Sequence, residues 1–204
     1  HTIAPMHHRL PTELRQATIV AAALQLASQT SPGAITTADI AHAVGISQGA
    51  LFKHFPSKSA MWEAVLAWVH TTLLERLQGA IAQAETPLAA LAAAWSAHVG
   101  FVMEHPGVPR LLFHELQEPN DSPLKHAVRQ LLQDYRLCLQ PVLRQGMDQG
   151  QLRRTLDTEA ALTLLLGSLQ GLVMQSMLHQ QPALFQTQAQ QVFALALHAL
   201  QETP

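Results

Sequence analysis

Residues 35–58, ITTADIAHAVGISQGALFKHFPSK, admit few backbone arrangements. Thr36 or Thr37 can cap a short helix that buries Ile40, Ala41 and Val44. Gly45 breaks that helix where the chain needs left-handed backbone. Ser47 caps a second short helix, whose Leu51 and Phe55 lie four residues apart and face inward. Pro56 stops it and Ser57 caps the next helix. Two short helices around a glycine turn, followed at once by a third, have the helix-turn-helix layout. Close approach at such a turn needs small residues, and Ala41, Ala43, Gly45 and Gly49 supply them.

The remaining sequence is a helical body. Of 204 residues 48% are hydrophobic and 13% charged, so a packed core is expected rather than disorder. Alanine, leucine and glutamine are abundant and valine and isoleucine few, which favours helix nearly everywhere. The expected fold is all-α with about nine helices. A first helix capped by Thr12 runs to about Thr30, with Leu14, Ile19, Ala22, Ala23 and Leu26 near a 3.6-residue period. Ser31-Pro32-Gly33 ends it. After the short pair come a long helix from Ser57 to about Gln83, one from Pro87 to about Glu104, and one over Val108 to Leu116. A loop from Gln117 to Pro123 precedes a helix over Leu124 to Met147, kinked at Pro141. Asp157 opens an eighth helix to His179 and Pro182 a ninth to Gln201. Residues 1–57 would form the head domain and 58–204 the body.

The net charge of −2 is unevenly spread. Residues 1–60 carry Arg9, Arg15, Lys53 and Lys58 against Glu13 and Asp39, an excess of two positive charges that leaves −4 for the rest. This weak electropositive footprint coincides with the motif. The lone Cys138 excludes an intramolecular disulfide and fits a reducing cytoplasm. Ile19 to Ala27 has the look of a signal-peptide core, but Gln25 interrupts it and no basic cluster precedes it, so it reads as a buried helix. No uninterrupted apolar run reaches membrane-spanning length.

On the outer face of the third helix lie Gln48, Gly49, Ala50, Phe52 and Lys53. Glutamine can pair bidentately with adenine, and an alanine methyl can meet a thymine methyl, each in the major groove of DNA. Lys58 falls in the first turn of the fourth helix, where a cation opposes the helix dipole; a phosphate over that helix end reverses the sign.

At Thr37, Ile40, Ala41, Gly45, Ile46, Ser47, Gly49, Leu51, Phe52, His54, Phe55 and Lys58 the chain resembles the tetracycline-repressor (TetR) family of bacterial transcription regulators. The resemblance covers about residues 12–75; beyond that it is architectural, although HPGVPRLLFHEL (105–116) is similar to the sixth-helix region of some members. It implies a homodimeric repressor on a palindromic double-stranded operator, released by a small molecule bound in the body. By position, Thr37, Ser47, His54 and Lys58 would hold phosphates, and Gln48, Gly49 and Ala50 would meet bases. With Thr36, Phe52 and Lys53 these form the expected DNA-facing set. Two departures matter. Phe52 stands where many members have tyrosine and has no hydroxyl for a phosphate. Ala38 stands where a base-reading arginine can occur.

The body offers an apolar or aromatic ligand a cavity among helices five to seven. Candidate lining residues are Trp95, His98, Phe101, Val102, His105, Leu112, Phe113, Leu132, Tyr135 and Leu139. His98, Phe101 and His105 share one helix face, with Glu104 beside them and His114 and Glu115 across. Twelve histidines raise the question of metal. His98 and His105 are two turns apart, about 10 Å along the axis, too far to share an ion. No metal or cofactor is expected. For dimerisation, Gly167 and Gly171 permit close approach, with Leu164 and Ser168 beside them; Ala189, Phe193, Ala196 and Leu200 form a stripe on the last helix. Trp62 and Trp68 would anchor the head to the long fourth helix.

No nucleophile–base pair, phosphate-cradling glycine loop or H-E-x-x-H is present, so an enzyme is not expected. The rival readings are a helical small-molecule carrier or enzyme whose motif only packs, and a DNA architectural protein without a ligand.

Overall fold

Side-chain caps mark where most of the helices begin. The structure, a computed structural model, describes residues 12–179 and 181–201, among which there are nine α-helices and no strand. These are α1 (Thr12–Ala27), α2 (Thr37–Val44), α3 (Gln48–Phe52), α4 (Lys58–Ala82), α5 (Pro87–Glu104), α6 (Gly107–Gln117), α7 (Pro123–Asp148), α8 (Thr158–His179) and α9 (Pro182–Leu200). Thr36 caps α2, its hydroxyl accepting from the Asp39 N–H at 3.1 Å while Asp39 accepts the Thr36 N–H at 2.8 Å. This reciprocal pair satisfies two otherwise open donors. It also leaves the Thr37 hydroxyl available for other contacts. Ser47, Ser57, Thr86 and Ser122 cap α3, α4, α5 and α7, each side-chain hydroxyl accepting one backbone N–H. Asp157 accepts from the N–H groups of Glu159 and Ala160 at the start of α8.

The α2–α3 turn is built as expected. Gly45 has φ 74°, a left-handed conformation, and the next N–H, of Ile46, bonds the Ala41 carbonyl at 2.9 Å. Ile19, Ala23, Ile40, Leu51, Met61 and Val65 close the core beneath it. Trp62 is buried there too.

Three local expectations are corrected. Thr12 is itself helical, so it does not cap α1, whose preceding residue lies outside the described range. The helix ends at Ala27, where the Ser28 hydroxyl takes the Gln25 carbonyl at 2.6 Å and turns the chain before Pro32. The buried face of α1 is Ile19, Val20, Ala23, Leu24 and Ala27, leaving Leu14 exposed. A helix rich in alanine has no sharp apolar edge, so its inward direction is set by what packs on it.

In the body, α4 packs along α5 and α7, and α8 pairs with α9. α7 stays helical through Pro141, which is exposed. α8 is long and apolar enough to cross a membrane by length and composition. Here Leu162, Leu165, Leu166, Leu169 and Val173 on one side of it are buried in the body.

The head meets the body through α1, α4 and α6. A Cβ on Gly107, the first residue of α6, would lie 2.1 Å from the Leu24 carbonyl oxygen, so only glycine allows this approach of α6 to α1. Further along α6, the His114 ring lies against Gly33 in the loop before α2. Trp68 of α4 stacks edge-on to His105, ring centroids 5.0 Å apart.

Candidate functional site

The motif presents a polar outer face. Thr36, Ser47, Gln48, Gly49, Phe52 and Lys53 are exposed, and Thr37, Ala50, His54 and Lys58 are half-buried around them. The Gln48 amide donates to the Thr37 hydroxyl at 2.7 Å, tying the first residue of α3 to the first of α2. That bond uses one amide hydrogen and leaves the other, with the carbonyl oxygen, for a base edge. Phe52 is 42% exposed, an uncommon position for a large aromatic ring and one suited to contact with a sugar or thymine methyl.

Two expected phosphate contacts carry added constraints. His54 Nδ1 is buried without a partner, so only the Nε2 edge of the ring is left to reach outward. Its backbone carbonyl accepts from the Gln16 amide at 3.3 Å, a brace from α1 that no spacing in the sequence revealed. Lys58 Nζ donates to the Gly33 carbonyl at 3.3 Å. Its charge also helps hold the Asp39 carboxyl below the ordinary range, behind the larger effect of the hydrogen bonds from Thr36.

The body contains a cavity of about 230 Å³. His98, Phe101, Val102, Leu112, Phe113, Leu132 and Tyr135 line it as expected. Three residues do not. Trp95 donates to the Ala189 carbonyl at 3.0 Å and stacks on Phe193, which anchors α9 to α5. Leu139 is buried but is not part of the cavity wall. His105 lines a separate hollow with Ala17, Val20, Ser28 and Trp68, at the junction of head and body. Of the flanking polar groups, Glu104 pairs with Arg76 at 2.7 Å and Glu115 accepts the Ser122 hydroxyl. Neither is part of the cavity wall.

The missing walls come from α4 (Val69, Leu73) and α8 (Leu166, Leu169, Gln170, Val173). α8 is apolar on several sides, so its pattern gave no sign of which face turns inward. At the cavity, the His98 Nδ1 and the Tyr135 hydroxyl are 3.1 Å apart. Burial pushes the His98 imidazolium down to about 4 and the Tyr135 phenol above its ordinary value.

The expected dimer stripe on α9 is corrected. Ala189, Ala196 and Leu200 are buried within the chain, and Phe193 lies on Trp95. The outer face of α9 instead carries Leu184 and Leu195, 43% and 72% exposed. On α8 the expected face is open: nothing lies within 4 Å of a Cβ on Gly167 or Gly171, Ser168 is half-buried, and Leu164, Met174 and Leu178 are exposed.

A trihelical head with an exposed third helix, set on a helical body that holds an apolar cavity, defines a helix-turn-helix DNA-binding regulator. Residues 19–65 match the bacterial regulatory proteins of the tetR family, and residues 111–192 match the tetracyclin repressor-like C-terminal domain. The chain belongs to the TetR family, whose members bind operator DNA as dimers and respond to small molecules. Among its relatives, the nucleoid occlusion factor SlmA of Klebsiella pneumoniae (strain 342) is 30% identical over 161 residues, 78% of this chain and 80% of that protein. The fatty acid degradation regulator FadR of Bacillus halodurans superimposes with a TM-score of 0.82 at 18% identity over the full length of both chains. FadR of Bacillus subtilis, solved in complex with stearoyl-CoA, gives 0.79 at 19% identity, covering 89% of this chain and 97% of that one. At these identities the two structures share the fold.

Proposed function

We propose that this chain is a homodimeric, cytoplasmic repressor that leaves a palindromic operator when a small apolar effector occupies the body. The observation that carries the reading is the double role of α6. Its Val108, Pro109, Leu112 and Phe113 wall the cavity, while Gly107 and His114 on the same helix abut α1 and the loop before α2. A ligand that displaces α6 acts on the head directly, which is the differential contact a population shift requires. Thr37, Ser47, His54 and Lys58 hold phosphates, and Gln48, Gly49 and Ala50 face base edges. Residues to 57 form the reading head and those from 58 the body. Leu164, Gly167, Ser168 and Gly171 of α8 join Leu184 and Leu195 of α9 in the face that meets a second copy.

Selection of duplexes from a random pool, followed by binding at several salt concentrations, tests this. Enriched inverted repeats and a steep fall in affinity with salt are expected. A salt-independent or absent interaction leaves the carrier reading instead.

The relatives named nucleoid occlusion factors favour a second reading, in which the DNA-bound protein acts other than at a promoter. Mapping bound sites across the chromosome separates the two. A few sites beside promoters support repression, and many sites dispersed over the chromosome support occlusion.

A further inference from the structure

The inference rests on reading the cavity as an effector site and concerns which chemistry fills it. Among the described residues no charged side chain lines that cavity; apart from His98, Tyr135 and Gln170 its wall is apolar, and Gln170 is exposed to solvent. Tyr135 is 4% exposed, and among the described residues the one partner of its hydroxyl is His98 Nδ1. The shared proton has two possible homes. If Nδ1–H donated to the phenol oxygen, the phenol hydrogen would be left unpaired in an apolar wall, at a cost of about 1–3 kcal/mol. If the phenol donates to Nδ1, that hydrogen is satisfied and the neutral imidazole carries its own hydrogen on Nε2. His98 is half-buried, and its Nε2 is not one of the sealed imidazole nitrogens without partners among the described residues, which are His54 Nδ1 and His105 Nε2. His98 therefore offers a single N–H donor to an otherwise apolar space, and its low imidazolium pKa keeps that donor uncharged in the physiological range.

We infer that the cavity takes a neutral lipophilic molecule bearing a carbonyl oxygen, of the ester, thioester or ketone type, which accepts the His98 Nε2–H. Tyr135 is the positioning residue that sets the tautomer. A carboxylate in the same place would be desolvated with no cation to meet it, and a plain hydrocarbon would leave the Nε2–H unpaired.

The test is displacement of the neutral dye N-phenyl-1-naphthylamine from the full-length protein at pH 7.5 by methyl octanoate, octanoate and octane. Methyl octanoate is expected to displace the dye at roughly three- to tenfold lower concentration than octane, the range one net hydrogen bond supplies. It should lead octanoate by at least about tenfold, since the carboxylate must be buried unpaired. In His98→Phe the lead of methyl octanoate over octane disappears. Nitrogen-15 NMR of the unsubstituted protein gives an independent reading that needs no variant to fold: His98 Nε2 protonated and Nδ1 bare. Octanoate equal to or better than the ester, octane equal to the ester, or the opposite tautomer overturns the proposal while leaving an effector cavity in place. Failure of the dye itself to bind removes the cavity reading along with it, so the two failures are distinct.

Discussion

Gln48, Lys58 and His98 occupy three positions where one side chain governs one measurable property. Gln48 keeps an amide hydrogen and its carbonyl oxygen available beyond the Thr37 bond. Gln48→Ala is expected to relax preference at a single base pair by about 1–3 kcal/mol, read by comparing operator variants in a binding assay. Lys58→Ala should weaken all duplexes about equally and reduce the slope of log affinity against log salt by roughly one, because one phosphate contact is lost. Loss of the Gly33 contact should leave the fold little changed, since this bond is made at the partly exposed loop before α2. His98 acts on stability through pH. Its imidazolium falls from 6.5 to about 4 on folding, so between these values the unfolded chain binds the proton and the folded chain does not. The stabilisation is present above pH 6.5 and is lost as the pH falls toward 4. Urea unfolding at pH 7.5 and 4.5 should show a loss on the order of 2 kcal/mol that is missing in His98→Phe.

At the scale of elements, α6 lines the cavity and also seats on α1, because its first residue has no side chain. In Gly107→Ala the new methyl would meet the Leu24 carbonyl at 2.1 Å, and neither backbone can yield without moving a helix. The expected result is a destabilisation of about 1–3 kcal/mol by denaturant midpoint, as for other overpacked sites. Operator affinity in the absence of effector should also fall, because α1 is pushed from the side that ligand-driven motion of α6 would use. An unchanged midpoint would mean that α6 does not seat on α1 in this way. The motif itself was legible residue by residue: Thr36, Gly45, Ser47 and Ser57 have side chains or conformational freedom that act within four residues of their own position. The end of α1 was read three residues too long: past Ala27 the chain enters a turn in which the Ser28 hydroxyl donates to the Gln25 carbonyl, a choice between helix and turn that composition leaves open.

Across the whole molecule, the outward faces of α8 and α9 carry Leu164, Met174, Leu178, Leu184 and Leu195, all large apolar side chains left exposed. A second copy related by a two-fold axis would cover it and set the spacing of two heads. Leu178→Glu together with Leu195→Glu is expected to yield folded monomers by light scattering, with operator binding reduced at least tenfold because each half-site then binds alone. Ala189→Glu, by contrast, should unfold the chain, since its side chain is sealed against α5. Should the double variant remain dimeric, the interface lies elsewhere.

The sequence alone determined the local facts: the order of the helices, the caps at Ser47 and Ser57, the glycine turn and the polar face of α3. Each depends on hydrogen bonds or backbone angles within a few residues, and the residues that make them are adjacent in the chain. Only the tertiary structure decided which way the apolar helices turn. α9 buries Ala189, Ala196 and Leu200, the stripe its spacing marked, against its own chain rather than a second copy, and α8 gives one side to the cavity and the other to solvent. A helix apolar all round has no preferred inward face of its own; burial chooses one only when its neighbours are in place.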